Sequence, residues 1–146
     1  MRIISVFLFF CLFAVASAQQ APVLKVKISV SPDMKTSFIK GGRIILYLTR
    51  QVHKEPRNGF DIVVGVTPGN WDSSTNFILD LQNKEVISAG PVSEFLSSPD
   101  QFYYQVLYKQ NPDDGQENVP GNIISKVDSV KNLLYSNGRS SSGVEP

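Results

Sequence analysis

The chain has 146 residues, with 14 Lys+Arg, 13 Asp+Glu, one histidine and one cysteine. A charge balance this even supplies no field that would gather nucleic acid or an anionic membrane. A single cysteine forms neither an intrachain disulfide nor a thiolate metal site, and the length is that of one ordinary domain.

Residues 1–18 read as a removable secretory signal peptide. Arg2 gives a short positive start, Ile3–Leu12 is almost purely apolar, and Ala16-Ser17-Ala18 offers the small-x-small site that signal peptidase needs before Gln19. The run is too short for a membrane span, which takes about 20 apolar residues. Cys11 follows Phe10, whereas bacterial lipid attachment wants a small residue there. Cleavage after Ala18 would remove Arg2 and Cys11, leaving Gln19–Pro146 with zero formal charge and no thiol. There is no Asn-x-Ser/Thr sequon. The expected location is secreted or periplasmic, with no membrane span after cleavage.

From Val23 onward the pattern is one of short strands. Val23–Val30 alternates, with Leu24, Val26, Ile28 and Val30 on one face and Lys25, Lys27 and Ser29 on the other, a half-buried strand. Ser31-Pro32-Asp33 marks a turn, and Met34–Ile39 has no clear period. Lys40-Gly41-Gly42 turns into Arg43–Thr49, whose Ile44, Leu46 and Leu48 point one way and Ile45 and Tyr47 the other. Apolar residues on both faces predict a central strand covered on both sides. Beyond the polar turn at Glu55-Pro56-Arg57 and Asn58-Gly59 comes Phe60–Thr67, where Gly65 suggests a bulge or a close backbone approach. Thr75–Leu81 and Glu85–Ser88 are further strand candidates. Val92–Leu96 has the length of one helical turn. Phe102–Lys109 has high strand propensity, with Phe102, Tyr104, Val106 and Tyr108 on one face and Tyr103, Gln105 and Leu107 on the other.

Asn111–Gln116 is a turn cluster. Ile123–Leu134 fits two patterns: Ile123, Val127, Val130 and Leu134 make a helical stripe, while β-branched content and Ser-Lys-Val-Asp alternation fit a strand. The strand is the reading taken. Six or seven short strands separated by Gly, Pro and Asn turns, with no long helix, predict an all-β fold, an antiparallel β-sandwich of immunoglobulin-like kind over residues 19–135. Residues 136–146 read as a flexible tail or truncated linker.

Catalytic constellations are not evident. The mature chain has one histidine, His53, in a polar loop, and Gly138–Gly143 misses the spacing of a nucleophile elbow. His53 with Glu55 is too few ligands for a metal. Asp113-Asp114-Gly115 with Glu117 lacks the alternating carboxylates of a calcium loop. Nothing pairs Asp72, Asp80, Glu85 and Glu94 as glycosidase carboxylates. No catalytic residue, metal or cofactor is therefore assigned. The ligand-binding candidates are aromatic. Trp71, on a loop after Pro68-Gly69-Asn70, offers either a flat platform for a sugar ring or a cap on the end of the core, and Tyr103 is the second, otherwise a plain sheet residue. Glu55, Pro56 and Arg57 read as a structural motif, with Arg57 paired to Glu55 or to a carboxylate on a neighbouring strand.

Taken together, Gly42-Arg43-x-x-x-Tyr47-Leu48, Glu55-Pro56-Arg57, Phe77-x-x-Asp80, Phe102-Tyr103-Tyr104-Gln105-Val106-Leu107 and Asn118-Val119-Pro120-Gly121-Asn122-Ile123 resemble the N-terminal domain of certain secreted bacterial esterases. The resemblance spans residues 24–131. It departs at the start of the late strand, where the family usually has Gly and Tyr and this chain has Gln101-Phe102. It implies a sandwich-like accessory domain that precedes a catalytic α/β-hydrolase domain. The Ser, Asp and His of that family would fall beyond this chain, so no catalytic residue is carried over. The implied partner is a hydrolase catalytic domain. A stand-alone carbohydrate-binding module and a structural surface domain that assembles are the alternatives.

Overall fold

A computed structural model describes residues 23–130. The expected signal peptide, the tail at 136–146 and both ends of the 19–135 domain lie outside the described residues.

The architecture is built around β2 (Arg43–Thr49), whose bounds coincide with the expected central strand. It lies between β3 (Ile62–Val66) and β6 (Phe102–Lys109), antiparallel to both, so that Leu46 is opposite Val64 on one side and Val106 on the other. β5 (Ile87–Ala89) pairs with β3 at one edge. β7 (Ile123–Ile124) and β8 (Asp128–Val130) pair in tandem along the far side of β6, completing six strands. β1 (Lys25–Ile28) and β4 (Phe77–Asp80) form a separate two-stranded antiparallel sheet. Among the described residues the only α-helix is α1 (Val92–Ser97), with 3-10 turns at Pro32–Ser37 and Pro56–Asn58. Over the described residues the fold is thus all-β, two antiparallel sheets with little helix.

Alternation decides which side chains meet. Successive strand residues point to opposite faces, so Ile44, Leu46 and Leu48 share a face with Ile62, Val64 and Val66 and with Phe102, Tyr104, Val106 and Tyr108. Leu24, Val26 and Leu79 of the smaller sheet and Phe95 and Leu96 of α1 close over this face in a single buried cluster. Lys25 and Lys27 point to solvent, and Lys25 meets Asp80 at 3.2 Å, an exposed ion pair that contributes only about 0–1 kcal/mol. Arg50 fastens α1: it stacks over the Phe95 ring at 4.4 Å, and its guanidinium donates to the Phe95 and Asp100 carbonyls.

Three local readings change. The aperiodic Met34–Ile39 region is largely the 3-10 turn, entered through Pro32 with its fixed φ. Gly65 makes no bulge, because the β2–β3 ladder runs without interruption through Ile45 and Gly65. The expected last strand over 123–134 is two short strands up to Val130, and 131–134 lie outside the described residues. Its break has a visible cause. The Ser125 hydroxyl accepts the Val106 N–H at 2.9 Å while the Ser125 N–H donates to the Val106 carbonyl at 2.8 Å, so a side chain stands in for a ladder carbonyl.

β8 is tied down by Tyr104, whose buried hydroxyl donates to the Asp128 carboxylate at 3.0 Å. Burial first, then that hydrogen bond, pushes the Tyr104 pKa up to about 12. A folded-state pKa above the unfolded value of about 10 means this contribution to stability is intact below pH 10 and lost as pH rises toward 12. Urea midpoints measured across that window should fall more steeply for wild type than for Tyr104→Phe. Equal slopes would assign the alkaline loss to other groups.

Candidate functional site

The second face of the six-stranded sheet carries the polar chemistry. Three of the segments that carried the resemblance converge there from distant parts of the chain. Pro56 is fully buried and starts the 3-10 turn that packs across β2 and β6. This sets Glu55 and Arg57 on either side of Gln105, a polar residue only 4% exposed. The Gln105 amide donates to Glu55 Oε1 at 2.9 Å and to the Ser125 carbonyl at 3.2 Å, and its carbonyl oxygen accepts the Arg57 backbone N–H at 3.4 Å. Arg57 reaches Asn118 Oδ1 at 2.9 Å and Glu55 at 3.6 Å. The other Glu55 oxygen takes the Asn58 side chain at 3.0 Å. The structural motif expected at Glu55, Pro56 and Arg57 is therefore a cross-linked knot. It joins the turn after β2, the middle of β6 and the loop before β7.

Two polar atoms in this region are buried without a hydrogen-bond partner, the Tyr47 hydroxyl and Arg57 Nε. Tyr47 is 1% exposed and packs on Phe60 at 5.7 Å between ring centroids. Burial raises its pKa well above the ordinary phenol value. An unsatisfied buried hydroxyl costs about 1–3 kcal/mol. Tyr47→Phe is accordingly expected to leave stability unchanged or raise it by up to about 1 kcal/mol. A loss above about 1 kcal/mol in denaturant titration would mean the hydroxyl is bonded in solution.

The aromatic candidates are separated. Trp71 is 8% exposed and sits among Phe38, Phe77 and Tyr108, with centroid distances of 5.1, 5.7 and 5.5 Å. Its indole N–H donates to the Thr75 carbonyl at 3.0 Å. A sugar platform needs a free ring face; with its ring packed among three aromatics, Trp71 has the environment of the other reading, a cap on the end of the core. Tyr108 also closes the turn beneath: its hydroxyl donates to the Ile39 carbonyl at 2.7 Å and accepts the Gly42 N–H at 3.0 Å. Any side chain at Gly42 would run into the Tyr108 ring and the Lys109 carbonyl. Tyr103 is half-buried at the other end of β6 and on its opposite face, opposite Thr49 and Ser129. Trp71 and Tyr103 cannot share one ligand.

Of the four carboxylates weighed as a pair, Asp72 lies on Lys40 and Asp80 on Lys25, while Glu85 and Glu94 have no ion-pair partner among the described residues. Among the described residues no three His, Cys, Asp or Glu side chains are grouped to hold a metal, and no helix is long and apolar enough to cross a membrane.

Only half of the outer face is covered. On the side of the 3-10 turn Tyr47, Gln105 and Leu107 are buried, although Ile124 at the β7 edge is 40% exposed. Toward β3 and β5 the face opens into a groove of about 690 Å³. Ile45, Val63, Gly65 and Ile87 line it from the sheet face, Arg43 and Glu85 stand on its wall, and it continues around the sheet edge to the loop after β3 and to Phe77 and Ile78 of β4. Nothing in the sequence singled out this groove. The available signal was Gly65, read as a backbone feature, where the structure makes it a gap in an apolar row. Comparison of the chain with protein families, with curated proteins and with solved structures found no match.

Proposed function

We propose that this chain is a secreted, non-catalytic domain of the immunoglobulin-like sandwich type, which serves as an accessory to a serine esterase catalytic domain of the α/β-hydrolase kind. The observation that carries the reading is the convergence at Gln105. The Glu-Pro-Arg triplet, the aromatic-Gln-Val-Leu strand and the segment beginning at Asn118 are far apart in sequence, and their side chains bond to one another. Residues resembling a family's motifs that form one structural knot support a shared scaffold role. None of them is placed as a nucleophile or its base.

The strand layout supports the sandwich type. Immunoglobulin-like domains place strands B and E in one sheet and C, F and G in the other. β1 and β4 fit the first pair, and β2, β6 and the β7–β8 edge fit the second. β3 corresponds to the additional strand beside C, and β5 is an extra edge strand. The burial of Trp71 favours the accessory reading over a carbohydrate-binding module.

The test is turnover of a short p-nitrophenyl ester by the purified chain. The expected result is none above background. Turnover abolished by a serine-directed inhibitor overturns the proposal. A complementary measurement adds the chain to the isolated catalytic domain of a secreted bacterial esterase of the resembled kind. A rise in that domain's melting temperature supports the accessory role.

A further inference from the structure

We infer that the open half of the outer sheet face is a self-association surface, through which two copies of this chain pair about a two-fold axis running along β3 and β5. This goes beyond the accessory reading and does not depend on it.

One row of residues crosses the sheet from edge to edge. Ile87 of β5 lies opposite Gly65 of β3, Gly65 opposite Ile45 of β2, Ile45 opposite Leu107 of β6, and Leu107 opposite Ile124 of β7. Directly opposed residues project from the same face of a sheet. Leu107 within the row is fully buried, and both ends of the row are exposed, Ile124 at 40% and, most of all, Ile87 at 77%. Beside that projecting isoleucine the row has a hole. A Cβ built at Gly65 would meet nothing closer than the Ile87 carbonyl at 4.0 Å. A knob and a hole therefore sit side by side on neighbouring strands.

That arrangement is self-complementary. A two-fold axis parallel to the strands and midway between β3 and β5 places β5 of one copy over β3 of the other. Ile87 of each copy then enters the gap above Gly65 of the other, the reciprocal contact that an isologous interface requires. The same rotation carries β2 of each copy just outside β5 of the other, offset sideways by about one strand spacing, ~4.8 Å. Arg43 stands at the start of β2 and Glu85 just before β5; both are exposed, and both line the groove. Neither has an ion-pair partner among the described residues. The axis sets Arg43 of one copy beside Glu85 of the other, twice over. The apolar match and the charge match demand the same operator, which is why a second copy, rather than an unrelated protein, is the occupant assigned.

The experiment is sedimentation equilibrium of the full chain, purified as the cell processes it, over a concentration series reaching about 1 mM, the weak end of the affinity scale. The expected result is a reversible monomer–dimer equilibrium. Gly65→Val, which fills the hole, and Ile87→Ser, which removes the knob, should each raise the dimer dissociation constant at least about tenfold, equivalent to 1.4 kcal/mol. Ile87 is exposed, so its variant keeps the test open if Gly65→Val does not fold; circular dichroism checks both. Arg43→Glu alone should weaken the dimer, and Arg43→Glu with Glu85→Arg should restore it. A monomer at every concentration overturns the proposal, including one that binds an esterase catalytic domain through this face. So does a dimer indifferent to both apolar variants, an open-ended series of higher oligomers, or a charge swap that fails to restore association.

Discussion

Leu46→Ala is expected to lower the free energy of unfolding by about 2–5 kcal/mol, the range for deleting a buried leucine that leaves a cavity behind. Leu46 is fully buried at the centre of the central strand, between Val64 and Val106, under the β1–β4 sheet. Its neighbours Ile44 and Leu48 are also fully buried on the same face, so the cavity has rigid walls and little room to collapse. Against a typical domain stability of about 5–15 kcal/mol, the upper end of the range would leave much of the population unfolded. Urea unfolding by tryptophan fluorescence is a suitable measurement, since Trp71 belongs to the same cluster. A loss under about 0.5 kcal/mol, the scatter of neutral surface changes, would show that β2 is not where this structure puts it.

The second large effect belongs to Gln105. Gln105→Leu keeps the side chain's approximate size but removes one acceptor and one donor group from the knot. It strands the Arg57 N–H and the Ser125 carbonyl and takes a hydrogen bond from Glu55. Each buried group left unsatisfied costs about 1–3 kcal/mol. Glu55 is partly exposed and Ser125 is exposed, so both recover water, which places the expected loss near 1–3 kcal/mol. Amide exchange at Arg57 should accelerate in the same variant, because its acceptor is gone. Gln105→Glu is expected to be at least as damaging: it retains an acceptor for Arg57 but sets a second carboxylate against Glu55. A variant as stable as wild type, with Arg57 exchange unchanged, would mean that the 3-10 turn is held by Pro56 packing alone. Tyr47→Phe, expected to be neutral or stabilising, is the contrast. Both residues are buried and polar on the same face, and only Gln105 is bonded.

Much of the fold was legible in the sequence. The bounds of β2 and β6 follow from near-continuous runs of β-branched, aliphatic and aromatic residues bounded by turn signals, and the inward and outward faces of β1 follow from its alternating lysines. Short elements were less legible. β7 and β8 are separated by a hydrogen bond from the Ser125 hydroxyl, and no periodicity shows that a side chain will replace a backbone carbonyl. The site was legible only as residue types in order. Glu55-Pro56-Arg57 could be recognised as a motif, but that Arg57 meets Asn118, 61 positions later, depends on how the loop before β7 returns. Gln105 in a run of aromatic and aliphatic residues was a visible oddity without a visible reason, because its partners come from two other segments.

By itself, then, the sequence determined the local matters: an all-β chain, where the strands run, which of their faces are apolar, and which residue types are too few to build a familiar catalytic centre. These are properties of near neighbours along the chain, set by alternation and turn chemistry. Only the tertiary structure decided that Trp71 is core, that Trp71 and Tyr103 lie at opposite ends of β6, and that Tyr47, Gln105 and Leu107 are buried on the outer sheet face while Ile87 is left bare beside Gly65. Each depends on which distant segment comes back to cover a given surface. Burial is a property of that packing and not of the residue, so it could be read only once the loops were in place.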